Sequence, residues 1–143
     1  MKHQSKNYFS YTTLRKIAGM NIPGPLQNMY LRNYCNNNNI NFSLPIEEYI
    51  FDDCYIELFG ILDKFSKDYS GLITFSIHCL PDDKLLRNDF LKKVIKKKKE
   101  VHFIFEKIIL RKINDIDYIN LLFKLHEKNF QCIKVSNLLR NFL

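Results

Sequence analysis

The sequence lacks the features that mark several protein classes. Its four cysteines, at positions 35, 54, 79 and 132, include no Cys-x-x-Cys pair, which argues against a zinc ribbon or a thioredoxin motif. No apolar run approaches the roughly 18 residues that a membrane span requires, and the first residues have no apolar stretch like that of a signal peptide. We therefore expect a soluble cytoplasmic protein with reduced thiols, no membrane span and a flexible segment at residues 1–7.

The composition is otherwise that of an ordinary globular protein. Of the 143 residues, 46% are hydrophobic and 26% are charged, which predicts one folded domain. The net charge of +7 has two interpretations: it attracts the phosphates of a nucleic acid or a sugar nucleotide, or it reflects abundant solvated lysine. The lysine run at 96–99 suits the end of a helix, and the aromatic residues near it fit a core better than a nucleic-acid surface.

Hydrophobic patterning predicts strands and helices in alternation. Aromatic and β-branched runs predict four strands, at residues 8–13, 40–44, 71–80 and 101–109. Helical spacing predicts four helices, at residues 25–36, 53–67, 83–98 and 115–128. This order predicts a single three-layer α/β domain, residues 1–143, with a mostly parallel four- to five-stranded sheet of the flavodoxin or resolvase kind. The apolar segment 130–143 is interpreted as a short strand or turn followed by a helix that packs on the domain or on a partner.

Polar residues cluster where the predicted strands end and the first helix begins. Ligands of parallel α/β sheets bind beyond the carboxyl ends of the strands, near the switch in strand order. A Pro-Gly-Pro turn at residues 23–25 opens the first helix, whose free N–H groups suit an anion. Gln27, in the first turn, is predicted to bind a ligand. Arg32 is a second ligand-binding candidate, or it pairs with a carboxylate on a neighbouring element.

Two carboxylates and a serine are the catalytic candidates. Glu48 and Glu106 follow predicted strands and would form an acid–base pair over the strand ends. The alternative for both is a structural ion pair with an arginine or lysine. Ser76 would be a nucleophile if His78, two residues later on the same face of a strand, served as its base. The alternative for Ser76 is a small buried residue that hydrogen-bonds the backbone, because no Gly-x-Ser-x-Gly elbow surrounds it.

Three further side chains are weaker candidates. Tyr55 would bind a ligand through its hydroxyl, and His78 is a ligand-binding candidate in its own right. Cys54 stands at a predicted helix start, which lowers a thiol pKa, although a small buried cysteine is the commoner case. We predict no cofactor and no metal, because His78 and His102 lack a clear spacing to carboxylate ligands.

Five short motifs in order resemble one family. They are Ile-Pro-x-Pro-x-Gln-Asn-x-x-Leu-Arg-x-Tyr at 22–34, Leu-Pro-x-x-Glu at 44–48, Phe-x-x-Cys-Tyr at 51–55, Phe-Ser-x-x-x-Leu-Pro at 75–81 and His-Phe-x-x-Glu at 102–106. Together they resemble the sporadic carbohydrate cluster family, small proteins whose genes lie in bacterial clusters for surface-carbohydrate biosynthesis. The resemblance covers roughly residues 8–109. It implies a role in making or modifying a cell-surface glycan, and it brings no reaction with it.

A more distant similarity concerns the fold. A strand with an early serine, then a helix bearing a glutamine, is similar to the catalytic domain of serine recombinases, in which Ser10 would match the nucleophile. No arginine lies within four residues of Ser10, and the loop before Gln27 is long. A shared fold does not by itself carry a shared function.

Three functional hypotheses follow. The first is a surface-carbohydrate biosynthesis protein that binds a sugar or sugar-nucleotide precursor at the strand ends, with Gln27, Glu48, Ser76 and Glu106 as its main site residues. The second is a non-catalytic interaction module that forms a homodimer or joins a biosynthetic enzyme through segment 130–143. The third, which the sequence favours least, is a resolvase-like nucleic-acid enzyme.

Overall fold

The computed structural model describes residues 4–142, including the side chains of residues 4–129, 139 and 140. Within these residues the chain forms six strands: β1 (Lys6–Thr12), β2 (Ile40–Asn41), β3 (Ile46–Glu47), β4 (Gly71–Thr74), β5 (Glu100–Phe103) and β6 (Ile108–Leu110). It also forms four α-helices: α1 (Gly24–Asn37), α2 (Ile56–Lys64), α3 (Lys84–Lys96) and α4 (Ile113–Phe142). None of the described helices is both long enough and apolar enough to cross a bilayer.

The strands form one mostly parallel sheet in the order β2-β1-β4-β5-β6. The short strands β2 and β3 both pair with β1 in parallel, β2 near its beginning and β3 near its end. Strands β1, β4 and β5 are parallel neighbours, whereas β6 runs antiparallel to β5. The predicted α/β domain with a mostly parallel sheet is therefore confirmed. The strand order reverses between β1 and β4, which is where such folds bind ligands.

Helices cover both faces of the sheet. On one face α1 packs on β1 and β2, and its buried residues Leu31 and Cys35 join Tyr8 and Ile73 in a small core. On the other face α2, α3 and α4 enclose the larger core, which includes Leu72, Phe90 and Val101. The sheet is therefore covered by one helix, α1, on one face and by three helices on the other.

The strands β4 and β5 approach each other very closely at their first residues. Gly71 pairs with Glu100 in the parallel register. A Cβ atom at position 71 would lie 1.9 Å from the carbonyl oxygen of Glu100. Only glycine fits this position without a shift of the backbone.

Several predicted strands are wrong in extent. The predicted strand 71–80 ends at Thr74 and is followed by a 3₁₀ turn, Ile77–Cys79. The predicted strand 101–109 is a hairpin of β5 and β6, whose turn includes Lys107 with a φ of 57°. The predicted strand 40–44 is likewise shorter, because Pro45 separates β2 from β3.

The two chain ends also differ from the prediction. Strand β1 begins at Lys6, so residues 6 and 7 belong to the sheet rather than to a flexible segment, and residues 1–3 lie outside the described part of the chain. Helix α4 continues through Phe142 without a strand or turn near 130, because no glycine or proline interrupts residues 113–142. In segment 130–143 the described side chains are Leu139 and Arg140, and Leu139 is exposed.

Candidate functional site

A cleft of about 550 Å³ opens at the carboxyl ends of β1 and β4. Its position at the reversal of strand order is the one expected for a ligand site in this fold. Its walls come from the loop after β1, the segment before α2 and the residues after β4; they include Thr13, Arg15, Lys16, Asp52, Asp53, Tyr55, His78 and Asp82. We call this the rim cleft. Its volume lies within the range of small-molecule sites.

Gln27 does not line the rim cleft; it holds the loop that forms one of the cleft walls. The side chain is fully buried. Its Nε2 donates to the carbonyl oxygens of Thr13 at 2.7 Å and Ile22 at 2.9 Å, and its Oε1 accepts from the Thr13 N–H at 3.2 Å. Both amide protons are therefore used by the backbone. Gln27 holds the two ends of the loop between β1 and α1, which makes it a positioning residue rather than the predicted ligand contact.

Arg15 is the most distinctive side chain of the rim cleft. Its Nε donates to Thr13 Oγ1 at 3.1 Å, and its guanidinium carbon lies 3.9 Å from the centre of the Tyr55 ring. A terminal nitrogen also donates to the Tyr11 hydroxyl at 3.4 Å. Among the described residues no carboxylate forms an ion pair with Arg15. A half-buried guanidinium that is held in place without a counter-ion is a ready anion-binding group.

Glu48 directly follows β3, and its carboxylate lies at the start of α2. Its Oε2 accepts from the backbone N–H of Glu57 at 2.8 Å, so the carboxylate caps the helix. Its Oε1 is buried and has no hydrogen-bond partner among the described residues. Burial raises the pKa of Glu48, while the backbone N–H groups of Glu57 and Leu58 and the charge of Arg15 oppose that rise.

Ser76 and Glu106 meet, as the sequence predicts for residues of two strand ends. The Ser76 hydroxyl donates to Glu106 Oε1 at 2.5 Å, and the backbone N–H of Ile77 donates to Oε2 at 3.1 Å. Both residues line an apolar groove of about 400 Å³ together with Phe75 and Phe105. The pair therefore places one carboxylate beside an apolar surface at the rim.

Glu48 and Glu106 do not form the predicted pair. Strand β3, which precedes Glu48, and strand β5, which precedes Glu106, are separated by β1 and β4. Three interstrand spacings amount to about 14 Å. Each carboxylate also has its own backbone donor, from α2 for Glu48 and from the 3₁₀ turn for Glu106. They are two separate carboxylates rather than an acid and a base acting on one bond.

His78 does not serve Ser76 as a base through its ring. The 3₁₀ turn replaces the predicted strand, and the contact between them is a backbone one, in which the His78 N–H donates to Ser76 Oγ at 3.1 Å. The imidazole packs against Phe123 and His126 and lines both the rim cleft and the apolar groove. Burial, with smaller contributions from His126 and Arg87, lowers the pKa of His78 to about 4. His78 is therefore a neutral imidazole at the boundary of the two spaces.

The remaining candidates are divided between the cleft and other surfaces. Tyr55 lines the rim cleft and supports Arg15 with its ring, and burial raises its phenol pKa. Cys54 immediately precedes it and is partly buried. Arg32 instead lies exposed over the Phe42 ring at 4.8 Å, away from the rim cleft. Ser10 is buried inside β1, where a DNA phosphate cannot reach it.

The sequence prediction missed Thr13 and Arg15. The sequence did contain evidence for Arg15, because this residue lies three positions after β1, in a loop at the carboxyl end of the sheet. Within the described residues, no group of three or more histidine, cysteine, aspartate or glutamate side chains is placed to hold a metal ion.

Comparisons with family models and with curated proteins identify no relative. No protein-family model matches the chain, and no curated protein matches it either. The resemblance to the sporadic carbohydrate cluster family therefore stays a prediction that rests on the five motifs.

Proposed function

We propose that this chain is a cytoplasmic protein of surface-carbohydrate biosynthesis that binds a sugar-nucleotide precursor in the rim cleft. The observation that carries the proposal is the guanidinium of Arg15, held in the cleft by Thr13 and Tyr55 without a carboxylate partner. A guanidinium of this kind binds the oxygens of a diphosphate by paired hydrogen bonds. The five sequence motifs supply the carbohydrate part of the proposal.

The rim cleft carries charges of both signs, which suits a ligand with an anionic part and a hydroxyl-rich part. Lys16 is exposed beside Arg15 and adds a second positive charge to the same loop. Asp52, Asp53 and Asp82 line the same cleft, and carboxylates accept hydrogen bonds from sugar or ribose hydroxyls. The cleft thus offers cations to a phosphate and carboxylate acceptors to hydroxyl groups.

The catalytic part of the proposal rests on Glu106. Because His78 lines both spaces, a sugar that extends past it from the rim cleft would reach Ser76 and Glu106. In this arrangement Glu106 would exchange a proton with the substrate, and Ser76 and the Ile77 N–H would hold its carboxylate. Glu48 would stabilise α2 beneath the cleft.

The test is binding of a panel of nucleotide sugars, measured by thermal shift and then by isothermal titration. Replacing Arg15 with alanine should weaken binding by about 10- to 100-fold, since a hydrogen bond to a charged group contributes roughly 1.5–3 kcal/mol. Arg15→Lys should recover only part of this loss, because lysine keeps the charge without the planar fork.

Arg32→Ala is the matched control. Arg32, like Arg15, lies over an aromatic ring, but it is outside the rim cleft. Its removal should leave the dissociation constant unchanged. Equal losses for the two variants, or no stabilisation of the unchanged protein by any nucleotide sugar in the panel, would contradict the proposal.

A second candidate function is a non-catalytic interaction module that forms a homodimer or binds a biosynthetic enzyme. It is favoured by an exposed apolar row on α4, formed by Tyr118, Leu121 and Leu125, each about half exposed. Residues three and four apart share one face of a helix.

Replacing Leu121 with aspartate separates this candidate from a merely structural row. If the row is an interface, the variant should stay folded by circular dichroism and lose self-association or capture of the biosynthetic enzymes in sedimentation and pull-down measurements. Asp117→Asn, on the same helix, is the matched control and should keep both. Unchanged association of the Leu121 variant would contradict the interaction hypothesis.

A further inference from the structure

A second polar cluster lies at the opposite, amino end of the sheet. Helix α1 packs on β1 and β2, and a cleft of about 950 Å³ adjoins β5 and β6. The residues that line it include Lys6, Tyr8, Tyr34, Glu100, His102 and Arg111. The rim cleft uses none of these residues, although Tyr34 and His102 belong to two of the five family motifs. We call it the amino-end cleft.

Three of its side chains form a continuous chain of hydrogen bonds. The Tyr34 hydroxyl lies 2.5 Å from Nδ1 of His102, and Nε2 of His102 lies 2.8 Å from Oε1 of Glu100. An ionised carboxylate only accepts hydrogen bonds, so Nε2 carries the imidazole proton. Nδ1 is then the acceptor, and the hydroxyl of Tyr34 donates to it.

The carboxylate at the end of this chain is held from two further sides. The Tyr8 hydroxyl donates to Glu100, and Nε of Arg111 donates to Oε2 at 2.9 Å. Although burial opposes ionisation, these donors and His102 lower the pKa of Glu100 to about 2. The ring of His102 is also enclosed by the rings of Tyr8 and Tyr34 in edge contacts. The imidazole is therefore fixed in orientation.

A hydroxyl, an imidazole and a carboxylate in this sequence are the arrangement of nucleophilic catalysis. The base lies within hydrogen-bond reach of the nucleophile, and a third group orients the base. Burial raises the pKa of Tyr34 and lowers that of His102. At neutral pH the phenol is therefore protonated and the imidazole neutral, and the proton moves only as the phenol oxygen attacks.

We propose that Tyr34, His102 and Glu100 form a second catalytic site, which transfers an acyl group from an anionic ester through Tyr34. The phenol oxygen attacks the acyl carbon as its proton passes to Nδ1 of His102. The bond from that carbon to the leaving oxygen breaks, and His102 returns the proton to the leaving oxygen. Glu100 stabilises the imidazolium in between.

The product of the first step is an acyl ester of a phenol. Such an ester is a better acyl donor than an alkyl ester, because phenolate is the better leaving group. Attack by the hydroxyl of an acceptor then restores Tyr34, again with His102 as the base. Arg111, which is largely exposed, and Lys6 line the same cleft and would bind the anionic part of the donor.

The test uses p-nitrophenyl acetate as a probe, with release of nitrophenolate measured by absorbance and the acetylated residue located by peptide mass mapping. We expect a burst of about one nitrophenolate per chain and acetylation of Tyr34. The exposed residues Tyr49 and Tyr118 are references within the same molecule. Labelling of Tyr34 no faster than of these two would overturn the proposal, and so would reaction with p-nitrophenyl phosphate in place of the acetate.

Variants separate nucleophile from base. Tyr34→Phe should abolish the burst while keeping the ring, and His102→Gln should slow it by about 100-fold or more, the range of general base catalysis. Circular dichroism and thermal melting check the fold of each variant. Should His102→Gln fail to fold, the ratio of Tyr34 to Tyr49 labelling in the unchanged protein still decides the outcome.

The pH dependence of Tyr34 labelling distinguishes general base catalysis from a purely structural hydrogen-bond network. The charged and titratable groups that face His102 are Lys6, Tyr8, Tyr34, Glu100 and Arg111. Because the pKa of His102 is below its ordinary value, labelling should be at full rate at neutral pH and decline only in acid. A rate that rises with pH through 10, as for an ordinary exposed phenol, would contradict general base assistance. Nucleotide-sugar binding at the rim cleft is measured separately, so failure of either proposal leaves the other intact.

Discussion

Two arginines at opposite ends of the sheet have different surroundings. Arg15, at the carboxyl end, is held by Thr13 and the Tyr55 ring and has no ion-pair partner among the described residues. Arg111, at the amino end, pairs with Glu100. The charge of Arg15 is therefore available to a ligand, whereas that of Arg111 already stabilises a carboxylate. A guanidinium that neutral groups position keeps its whole charge for a ligand, whereas one paired with a carboxylate offers a ligand only its remaining donors.

The two ends also differ in what holds them together. At the carboxyl end a neutral amide, Gln27, joins backbone groups of one loop. At the amino end a charged side chain joins different strands, since Glu100 of β5 contacts Tyr8 of β1 and Arg111, which follows β6. The contacts that Gln27 makes should not depend on pH, whereas those that Glu100 makes should.

The largest effect is expected from Gln27→Ala. The substitution leaves three buried backbone groups without partners, at about 1–3 kcal/mol each, and opens a cavity. We expect a loss of about 3–5 kcal/mol in the free energy of unfolding, measured by urea denaturation. Asn33→Ala, an exposed amide on the same helix, should change it by less than about 0.5 kcal/mol. Similar losses for the two would mean that Gln27 does not anchor the loop.

A slightly smaller effect, confined to part of the pH range, is expected from Glu100→Gln. Folding lowers the pKa of Glu100 from 4.5 to about 2, so its stabilisation is complete above pH 4.5 and is lost as pH falls towards 2. The shift corresponds to about 3 kcal/mol. The variant should be less stable by about that amount at pH 7 and nearly equal to the unchanged protein at pH 2, as measured by denaturation at each pH.

His78→Gln tests the pH dependence of stability at the opposite, carboxyl end of the sheet, where His78 lies. Folding lowers its pKa from 6.5 to about 4, so the unfolded chain binds the proton first and stability falls as pH drops from 6.5 to 4. The variant should lose the part of that decline that His78 contributes, keep the smaller part due to His102, whose pKa is also lowered, and keep the decline between 4.5 and 2. One common profile for both variants would show that the two ends do not titrate independently.

The layout of the rim followed from the sequence because it depends on element order. Alternating strands and helices dictate a mostly parallel sheet, and this places the residues after each strand at one edge. Ser76 and Glu106 meet for that reason. The 3₁₀ turn that redirects His78 was not predictable, since residues 75–80 are apolar enough to continue a strand.

Side-chain direction accounts for the rest. Spacing places Gln27 in the first turn of α1, but it does not reveal that the amide turns back to Thr13 and Ile22. The amino-end cluster was missed because Tyr34 and His102 are 68 residues apart, and they meet only because α1 packs on β1 while β4 joins β1 to β5. The hairpin turn at Lys107 was hidden too, because it has a left-handed residue without a glycine.

Gly71, which has no side chain, determines whether the hydrogen-bonded cluster around Glu100 and His102 can form. A Cβ atom at position 71 would collide with the main chain of Glu100, so the side chain there must be a hydrogen atom. Even alanine would push the start of β5 outward and carry the Glu100 carboxylate and the His102 ring away from Tyr8 and Tyr34. A position that contributes no side chain to the acyl-transfer chemistry would thus be as intolerant of change as the nucleophile itself.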